Sequence, residues 1–179
     1  MSKMNSKNIV LVGSNHSASI NKQLTLSLLK DFPEFTFVDI EHLNVPMYDQ
    51  DKEVNDGFPQ PIIDLVNQLK NAERIWITTN EHNSSISAFL KNIIDWISRY
   101  DKLTFSDKKM LVMSTSNGKR GGLGANEYLT DFLKRNGAVV EYNFVFPQFL
   151  QNFDIQSQQI TNDVIKGEFI SKIKSFLNS

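Results

Sequence analysis

Five short apolar runs alternate with five helical patterns along the chain. The apolar runs have the β-branched, aliphatic and aromatic composition of strands, and they cover 9–12, 35–40, 74–79, 110–114 and 138–146. The helical patterns cover 21–30, 62–70, 86–99, 125–136 and 160–177. Strands that alternate with helices form a parallel sheet whose connections cross its faces. The alternation therefore predicts an α/β fold, with a doubly wound parallel sheet and helices on both faces.

Composition favours one ordinary globular domain over residues 1–179. The chain is 40% hydrophobic and 22% charged, which is enough apolar material for a full core. Its net charge of −1 gives no basic field for nucleic acid or for an anionic membrane. The polar start and the lack of any long apolar run lead us to expect neither a signal peptide nor a transmembrane helix, and thus a cytoplasmic protein.

Residue usage also excludes several kinds of catalytic site. The absence of cysteine excludes disulfides, thiol catalysis and thiolate-bound metal. The three histidines, His16, His42 and His82, are dispersed and form no cluster with ligand spacing. We therefore predict no metal ion. The sequence also has no convincing Ser-His-Asp order and no carboxylate pair at hydrolase spacing, so we predict no catalytic side chain.

The first apolar run stops at Gly13 and passes through small polar residues into a helix. The side chains of Ser14, Ser17, Ser19 and Asn21 can donate to phosphate oxygens, and a helix start adds free N–H groups and a positive dipole end. Serines before a helix are often simple caps, so this stretch alone leaves a capped turn and a phosphate site equally open. No Gly-x-Gly-x-x-Gly follows the strand and no Gly-Lys-Ser/Thr occurs, which argues against a Rossmann dinucleotide site and a P-loop. A loop around a terminal monophosphate remains.

Two further polar loops follow the third and fourth runs, at 80–85 and 115–124. Ligands of open parallel sheets bind outside the carboxyl ends of the strands, so these loops and the first should converge on one pocket. The long connection at 44–61 has no clear periodicity but carries apolar residues, and we expect an ordered loop there that covers a site or packs on a partner.

These motifs resemble the NADPH-dependent FMN reductase family, which includes bacterial quinone, azo-dye and chromate reductases. The family's phosphate loop, Gly-Ser-x-Arg-x-x-Ser-x-Asn, stands at 13–21 with His16 in place of the arginine. Its Pro-x-Tyr-Asp-x-Asp element stands at 46–51, and a Ser-x-Gly-x-x-Gly-Gly loop stands at 116–122. The most specific match is to Thr-Pro-Glu-Tyr-Asn-Gly-Ser-Ile-Pro-x-x-Leu-Lys-Asn-x-Ile-Asp-Trp, at 79–96.

The resemblance implies a flavodoxin-like fold, with a five-stranded sheet in the order 2-1-3-4-5, and an enzyme. The enzyme would be an NAD(P)H oxidoreductase that passes electrons through FMN to a quinone or similar small acceptor, as a homodimer or homotetramer. The phosphate of FMN would be held by Ser14, His16, Ser19 and Asn21, and Ile20 would also belong to the cofactor-binding residues. The ring would be lined by Glu81, His82, Asn83 and Ser84 on one side and by Ser116 and Asn117 on the other.

Departures from the family pattern fall mostly in the ring-side loop. His82 replaces a tyrosine, Ser84 a small or aromatic residue, and Asn80 and Ser87 replace two prolines, which predicts a less rigid loop. The next helix carries Lys91, Asn92, Asp95 and Trp96, which we interpret as polar anchors for packing rather than as site residues.

Lys119 and Arg120 bear on whether the protein prefers NADPH or NADH. They lie on the third loop, where two positive charges could meet the 2′-phosphate of NADPH. Exposed loop cations are more often merely solvated.

Two other functions are compatible with the same fold. A flavodoxin-type electron carrier usually has a strongly acidic docking face, which a net charge of −1 does not support. A protein that binds flavin poorly and acts as a sensor or interaction module is kept open by His16 and His82.

Overall fold

The computed structural model describes residues 7–179. In chain order its elements are β1 (Asn8–Gly13), α1 (Ile20–Leu29), β2 (Thr36–Phe37), α2 (Gln50–Asp56), α3 (Gln60–Asn71), β3 (Arg74–Thr79), β4 (Glu81–His82), β5 (Ser85–Ile86), α4 (Ala88–Tyr100), β6 (Lys109–Thr115), α5 (Leu123–Arg135), β7 (Val139–Phe146), α6 (Phe149–Asn152), β8 (Phe153–Asp154), β9 (Gln159–Ile160) and α7 (Asp163–Leu177).

The main sheet has five parallel strands in the order β2-β1-β3-β6-β7. Numbered along the chain, these strands stand in the order 2-1-3-4-5, so the predicted flavodoxin-like, doubly wound sheet is confirmed. Strand β1 lies inside the sheet and pairs with β2 on one side and β3 on the other. The carboxyl ends of β1, β3 and β6 therefore lie next to one another.

The two faces of the sheet are covered by separate apolar cores. Along β1, Ile9 and Leu11 pack with the residues of α3, α4 and α5, whereas Val10 faces the other side, toward α1 and α7. This alternation follows from the period of two in a strand. Trp76, in the middle of β3, is fully buried on the α1 and α7 side.

The second strand is shorter than the sequence predicts. Only Thr36 and Phe37 pair with β1, although the apolar run extends over 35–40. Phe35 packs edge-on against Trp76 instead, with ring centroids 5.8 Å apart. Beyond the strand the Asp39 side chain accepts a hydrogen bond from the N–H two residues on, at 2.9 Å, and this turn ends the ladder.

The long connection is ordered and contains a helix, α2, that the sequence did not predict. Asp49 caps its start by accepting from the N–H of Asp51 at 2.8 Å, and Gly57 ends it at a φ of 76°. None of the α2 residues is buried, so the helix has no apolar stripe that a sequence pattern could reveal.

Helix α4 anchors this connection through polar residues that the sequence analysis interpreted as packing anchors. The side chains of Asn92 and Trp96 both donate to the carbonyl of Pro46, at 3.0 and 2.9 Å. The Asn92 side chain also accepts from the N–H of Tyr48 at 2.7 Å. Lys91 and Asp95 form an ion pair one turn apart, at 2.5 Å.

No helix within residues 7–179 combines the length and the apolar character that a membrane crossing requires. Of the polar start for which we predicted no signal peptide, residues 1–6 lie outside the described part of the chain.

Candidate functional site

The loops that follow β1, β3 and β6 converge around an open cleft of about 360 Å³. This volume lies within the range of about 300–1,000 Å³ that is usual for small-ligand sites. The cleft lies at the carboxyl ends of the strands, where the fold class places ligands. Its lining residues are Ser14, His16, Ala18, Ser19, Ile20, Asn21, Asn80, Glu81, His82, Thr115, Ser116 and Asn117.

The cleft brings together all but two of the residues that the family resemblance implies. Ser17, which the first loop also offered as a phosphate donor, is exposed and does not line the cleft. Three lining residues were not predicted: Ala18, Asn80 and Thr115. Asn80 and Thr115 stand where β3 and β6 end, so their position at the strand ends was the available signal.

Asn83 and Ser84, predicted to line the flavin ring, are not among the lining residues of the cleft. They form the exposed tip of the β4–β5 hairpin, with φ values of 50° and 61°. Two successive residues with positive φ make the tight turn that suits a two-residue hairpin loop. The tip packs closely against the start of α5. This is seen at Gly124, where an added Cβ would lie only 2.8 Å from the Ser84 carbonyl oxygen.

Three serines that line the cleft have hydroxyl groups that accept a hydrogen bond but donate none to the described residues. Each accepts one hydrogen bond from a nearby backbone N–H. These bonds run from the N–H of His16 to Ser14, from the N–H of Lys22 to Ser19 and from the N–H of Gly118 to Ser116, each at 3.3 Å. A hydroxyl that is fixed as an acceptor keeps its O–H to donate to a ligand.

The start of α1 adds two backbone donors to the same wall. Ser19 caps the helix, and the N–H groups of Ile20 and Asn21 find no acceptor in the described part of the chain. Unpaired N–H groups at a helix start, together with the positive end of the helix dipole, favour a bound anion.

Asn21 contributes to this wall through its backbone, because its side chain is otherwise engaged. Its Oδ1 accepts from the N–H of Thr115 at 2.9 Å, and its Nδ2 donates to the carbonyl of the same residue at 3.2 Å. The residue is only 3% exposed. The predicted position is thus in the cleft, but its amide side chain joins two loops.

The opposite wall is formed by the residues that follow β3. The Nδ2 of Asn80 donates to Nε2 of His82 at 3.2 Å. The Oδ1 of Asn80 is buried and has no hydrogen-bond partner among residues 7–179. Glu81 lies beside the start of α5, where a Cβ at Gly124 would come within 2.7 Å of its Oε1.

Among residues 7–179, no lysine or arginine lines the cleft. The charge that the lining side chains can carry comes from His16, Glu81 and His82. Lys22, on α1, is held by the Glu41 carboxylate, whose hydrogen bond raises the pKa of Lys22 above its ordinary value.

Lys119 and Arg120 lie near the cleft but do not line it. Both are exposed on the β6–α5 loop, and neither makes an ion pair with another described residue.

Comparisons with known proteins agree on one family. The sequence model of the family described as NADPH-dependent FMN reductase matches residues 6–151. The quinone reductase of Escherichia coli (strain K12) is 29% identical over 181 aligned residues, which cover 93% of this chain and 96% of that protein. The 2-hydroxy-1,4-benzoquinone reductase of a Burkholderia species is 36% identical, over 67% of this chain and 66% of that protein.

Solved structures share the fold at low sequence identity. The flavoenzyme NAD(P)H:(acceptor) oxidoreductase FerB from Paracoccus denitrificans superposes with a TM-score of 0.78 at 23% identity, covering 95% of this chain and 94% of that one. An FMN-dependent NADH-azoreductase from Bacillus anthracis, in complex with FMN, gives a TM-score of 0.64 at 16% identity, with 93% and 99% covered.

Proposed function

The chain belongs to the NADPH-dependent FMN reductase family, and we propose that it passes electrons from NADPH or NADH, through FMN in the cleft, to a quinone or similar small acceptor. Membership makes it an oxidoreductase with FMN and a nicotinamide nucleotide as cofactors. Beyond family membership, FMN lies in this cleft and the acceptor is a quinone or a similar small molecule. Relatives named as quinone reductases support that class.

The observation that carries the proposal is the set of free donors on one wall of the cleft. The hydroxyls of Ser14 and Ser19 and the N–H groups of Ile20 and Asn21 all lack acceptors within the described residues. Buried or half-buried donors without acceptors cost free energy unless a ligand or water pairs with them. A terminal phosphate can accept from several of them at once.

The opposite wall fits the remainder of FMN. Asn80, Glu81 and His82 line this wall, and their polar side chains suit a ligand with N–H and O–H groups, which FMN has in its ring and its ribityl chain. Ser116 and Asn117 close the third side of the cleft, and the free O–H of Ser116 can also donate. The residues present therefore fit FMN better than they fit a purely anionic ligand.

The protein's own part in the reaction is to bind and orient. The chemistry of the cofactor, when it is bound, is the acceptance of a hydride from a nicotinamide and the delivery of electrons to an acceptor. No side-chain nucleophile is needed for this. The openness of the cleft leaves room for nicotinamide and acceptor to reach the same place in turn.

Assembly as a homodimer or homotetramer and a cytoplasmic location stay predictions. They rest on the resemblance and on composition, and sedimentation of the purified protein would test the first of them.

Steady-state turnover tests the proposal. The protein is reconstituted with FMN, freed of excess flavin, and mixed with NADPH or NADH and benzoquinone. We expect nicotinamide oxidation that rises in proportion to FMN occupancy. Ser14→Ala should need more FMN to reach the same rate, because it removes one phosphate donor and no ring contact. If FMN binds but neither nicotinamide is oxidised, the electron-carrier function replaces this one; if FMN does not bind, the flavin-poor interaction protein does.

A further inference from the structure

A chain of side-chain hydrogen bonds joins the β8–β9 hairpin to the wall of the cleft. Nε2 of Gln158, in the turn of this hairpin, donates to the carbonyl of Ile155 at 2.7 Å and to Oε1 of Gln23 at 3.1 Å. Nε2 of Gln23, in the first turn of α1, then donates to the carbonyl of Ala18 at 3.2 Å. Ala18 lines the cleft. The two glutamines stand 135 residues apart, so they connect distant parts of the sequence.

The orientation of both amides is fixed by the backbone carbonyls at the two ends of this chain. A carbonyl oxygen only accepts, so the group of Gln158 that faces Ile155 must be its NH2 group. The second proton of that group points to Gln23, whose facing atom must then be its oxygen. The NH2 group of Gln23 is left to donate to Ala18. The bonds therefore run in one direction, from the hairpin to the cleft.

The hairpin is a firm support for such a contact. Phe153 and Ile160 pair across its base, and both are buried in the same apolar core as Leu24 of α1. In its turn, the Asp154 carboxylate accepts from the hydroxyl of Ser157 at 2.6 Å. The hairpin thus holds its shape and its place beside α1 without help from a ligand.

The first loop, residues 14–19, has few hydrogen bonds of its own. Two lie inside it, from the N–H of His16 to the Ser14 hydroxyl and from the N–H of Ser19 to the His16 carbonyl. Ala18, between them and the helix, is hydrogen-bonded within residues 7–179 only through Gln23. The glutamine pair is therefore what fixes this part of the loop.

We propose that Gln23 and Gln158 are positioning residues that hold the first loop in the shape that binds FMN, so that the β8–β9 hairpin controls how fast the flavin is released. The proposal rests on the proposed function, because it requires FMN in the cleft. Neither glutamine lines the cleft, so both act through Ala18. Gln158 also lies beyond residues 6–151, the part of the chain that the family model matches.

The expected effect follows from preorganisation. A loop that is ordered before binding loses less conformational entropy when the ligand arrives. Without the glutamine pair, FMN itself must order the loop, and the loss of affinity should appear mainly as faster release. We expect FMN to leave Gln23→Ala and Gln158→Ala about three- to tenfold faster than it leaves the native protein.

The test combines two measurements on the native protein and on each variant. Titration of the apoprotein with FMN, followed by flavin fluorescence, gives the dissociation constant, and stopped-flow mixing gives the association rate constant. Their product is the release rate. Turnover at saturating FMN and the KM for NADPH should change little, since the glutamines touch neither the ring-side residues nor the nicotinamide. A purely structural role would instead lower the urea midpoint of the apoprotein and leave the release rate as it is.

Two further variants make the test specific. In Gln23→Ala/Gln158→Ala the release rate should equal that of either single variant, because each change alone breaks the whole chain of bonds. Gln158→Glu keeps the size of the side chain, but a carboxylate cannot donate to Ile155 or to Gln23. The Gln23 amide must then turn and set its oxygen against the Ala18 carbonyl, so release should be at least as fast as in Gln158→Ala.

Gln156→Ala is the matched control. It lies in the same turn, it is exposed, and its side chain makes no hydrogen bond with another residue of 7–179. It should release FMN at the native rate.

Two results would overturn the proposal while FMN still binds to the native protein. Native release rates in Gln158→Ala and Gln158→Glu would show that the hairpin does not hold the loop. Effects of the two alanine changes that multiply in the double variant would show that the glutamines do not act as one chain. A native protein that binds no FMN would instead overturn the proposed function, and this inference with it.

Discussion

The side-chain amide of Asn21 and the backbone of Thr115 are joined by two hydrogen bonds, one in each direction. Asn21 stands in the first turn of α1, and Thr115 ends β6 where the third loop begins. Both residues are buried. This pair therefore fixes two walls of the cleft relative to each other before any ligand binds.

Asn21→Ala should destabilise the protein and loosen the cleft. The change leaves the N–H and carbonyl of Thr115 unpaired in a buried place, which should lower the free energy of unfolding by about 2–4 kcal/mol. Because the third loop is then less fixed, FMN and riboflavin should both bind more weakly. Urea unfolding and fluorescence titration measure the two effects. Asn44→Ala, at an exposed asparagine of the long connection, is the control and should change neither. Unaltered stability of Asn21→Ala would contradict the role of the pair.

Ile20→Pro should remove one phosphate donor and leave helix α1 in place. Ile20 is the first residue of α1, where proline is favoured, and Ser19 before it has φ −56° and ψ 121°, which a following proline accepts. The N–H that is lost has no acceptor within residues 7–179. We expect about tenfold weaker binding of FMN, unchanged binding of riboflavin and an unchanged far-UV circular dichroism spectrum. Ile20→Val keeps the N–H and is the control for the side chain. Equal weakening of both flavins by Ile20→Pro would show that the amide does not meet the phosphate.

Gly124→Ala and Gly167→Ala should have opposite effects on stability, although both place a methyl group on a helix. At Gly124 the new Cβ would lie 2.7 Å from Oε1 of Glu81 and 2.8 Å from the carbonyl oxygen of Ser84, so the β4–β5 hairpin must shift. We expect a loss of about 1–3 kcal/mol and weaker flavin binding. At Gly167, in α7, nothing lies within 4 Å, and alanine should stabilise the helix by about 0.5–1 kcal/mol. Thermal unfolding of both variants checks the contrast, and a neutral Gly124→Ala would contradict the close packing of the hairpin on α5.

Replacing both Lys119 and Arg120 by alanine should reduce the preference for NADPH over NADH. These exposed cations have no ion-pair partner among the described residues and lie beside the cleft, where they can meet the 2′-phosphate of NADPH. We expect the KM for NADPH to rise about tenfold, with the KM for NADH unchanged. Lys102→Ala, on the loop between α4 and β6, is the matched control. If both nicotinamides lose affinity equally, these cations do not read the 2′-phosphate.

Sequence patterns predicted the parts of the fold that bury apolar side chains. The runs that became β1, β3 and β6 were visible because these strands are covered on both faces. Helix α2 could not be predicted from the sequence pattern, because it has capping residues at both ends but no apolar stripe. The second strand was predicted too long because Phe35 was counted as a strand residue. Its apolar side chain packs in the core, but the residue does not pair with β1.

The site was predictable in position but less so in detail. Loops at strand ends indicated the cleft, whereas the direction of each side chain depends on local backbone geometry. The positive φ values of Asn83 and Ser84 place both residues in the tip of the β4–β5 hairpin, and neither lines the cleft. Both polar groups of the Asn21 side chain are engaged with Thr115, a contact between residues far apart in the chain that no local motif encodes.

The most direct test of the central claim is a single anaerobic mixing experiment. The protein, reconstituted with FMN and freed of excess flavin, is mixed rapidly with NADPH, and the visible absorbance of oxidised FMN is followed. If FMN is bound in the cleft so that a nicotinamide can reach it, the absorbance should fall in one rapid phase and return when benzoquinone is added. An absorbance that stays unchanged over minutes, with FMN still bound, would contradict the account.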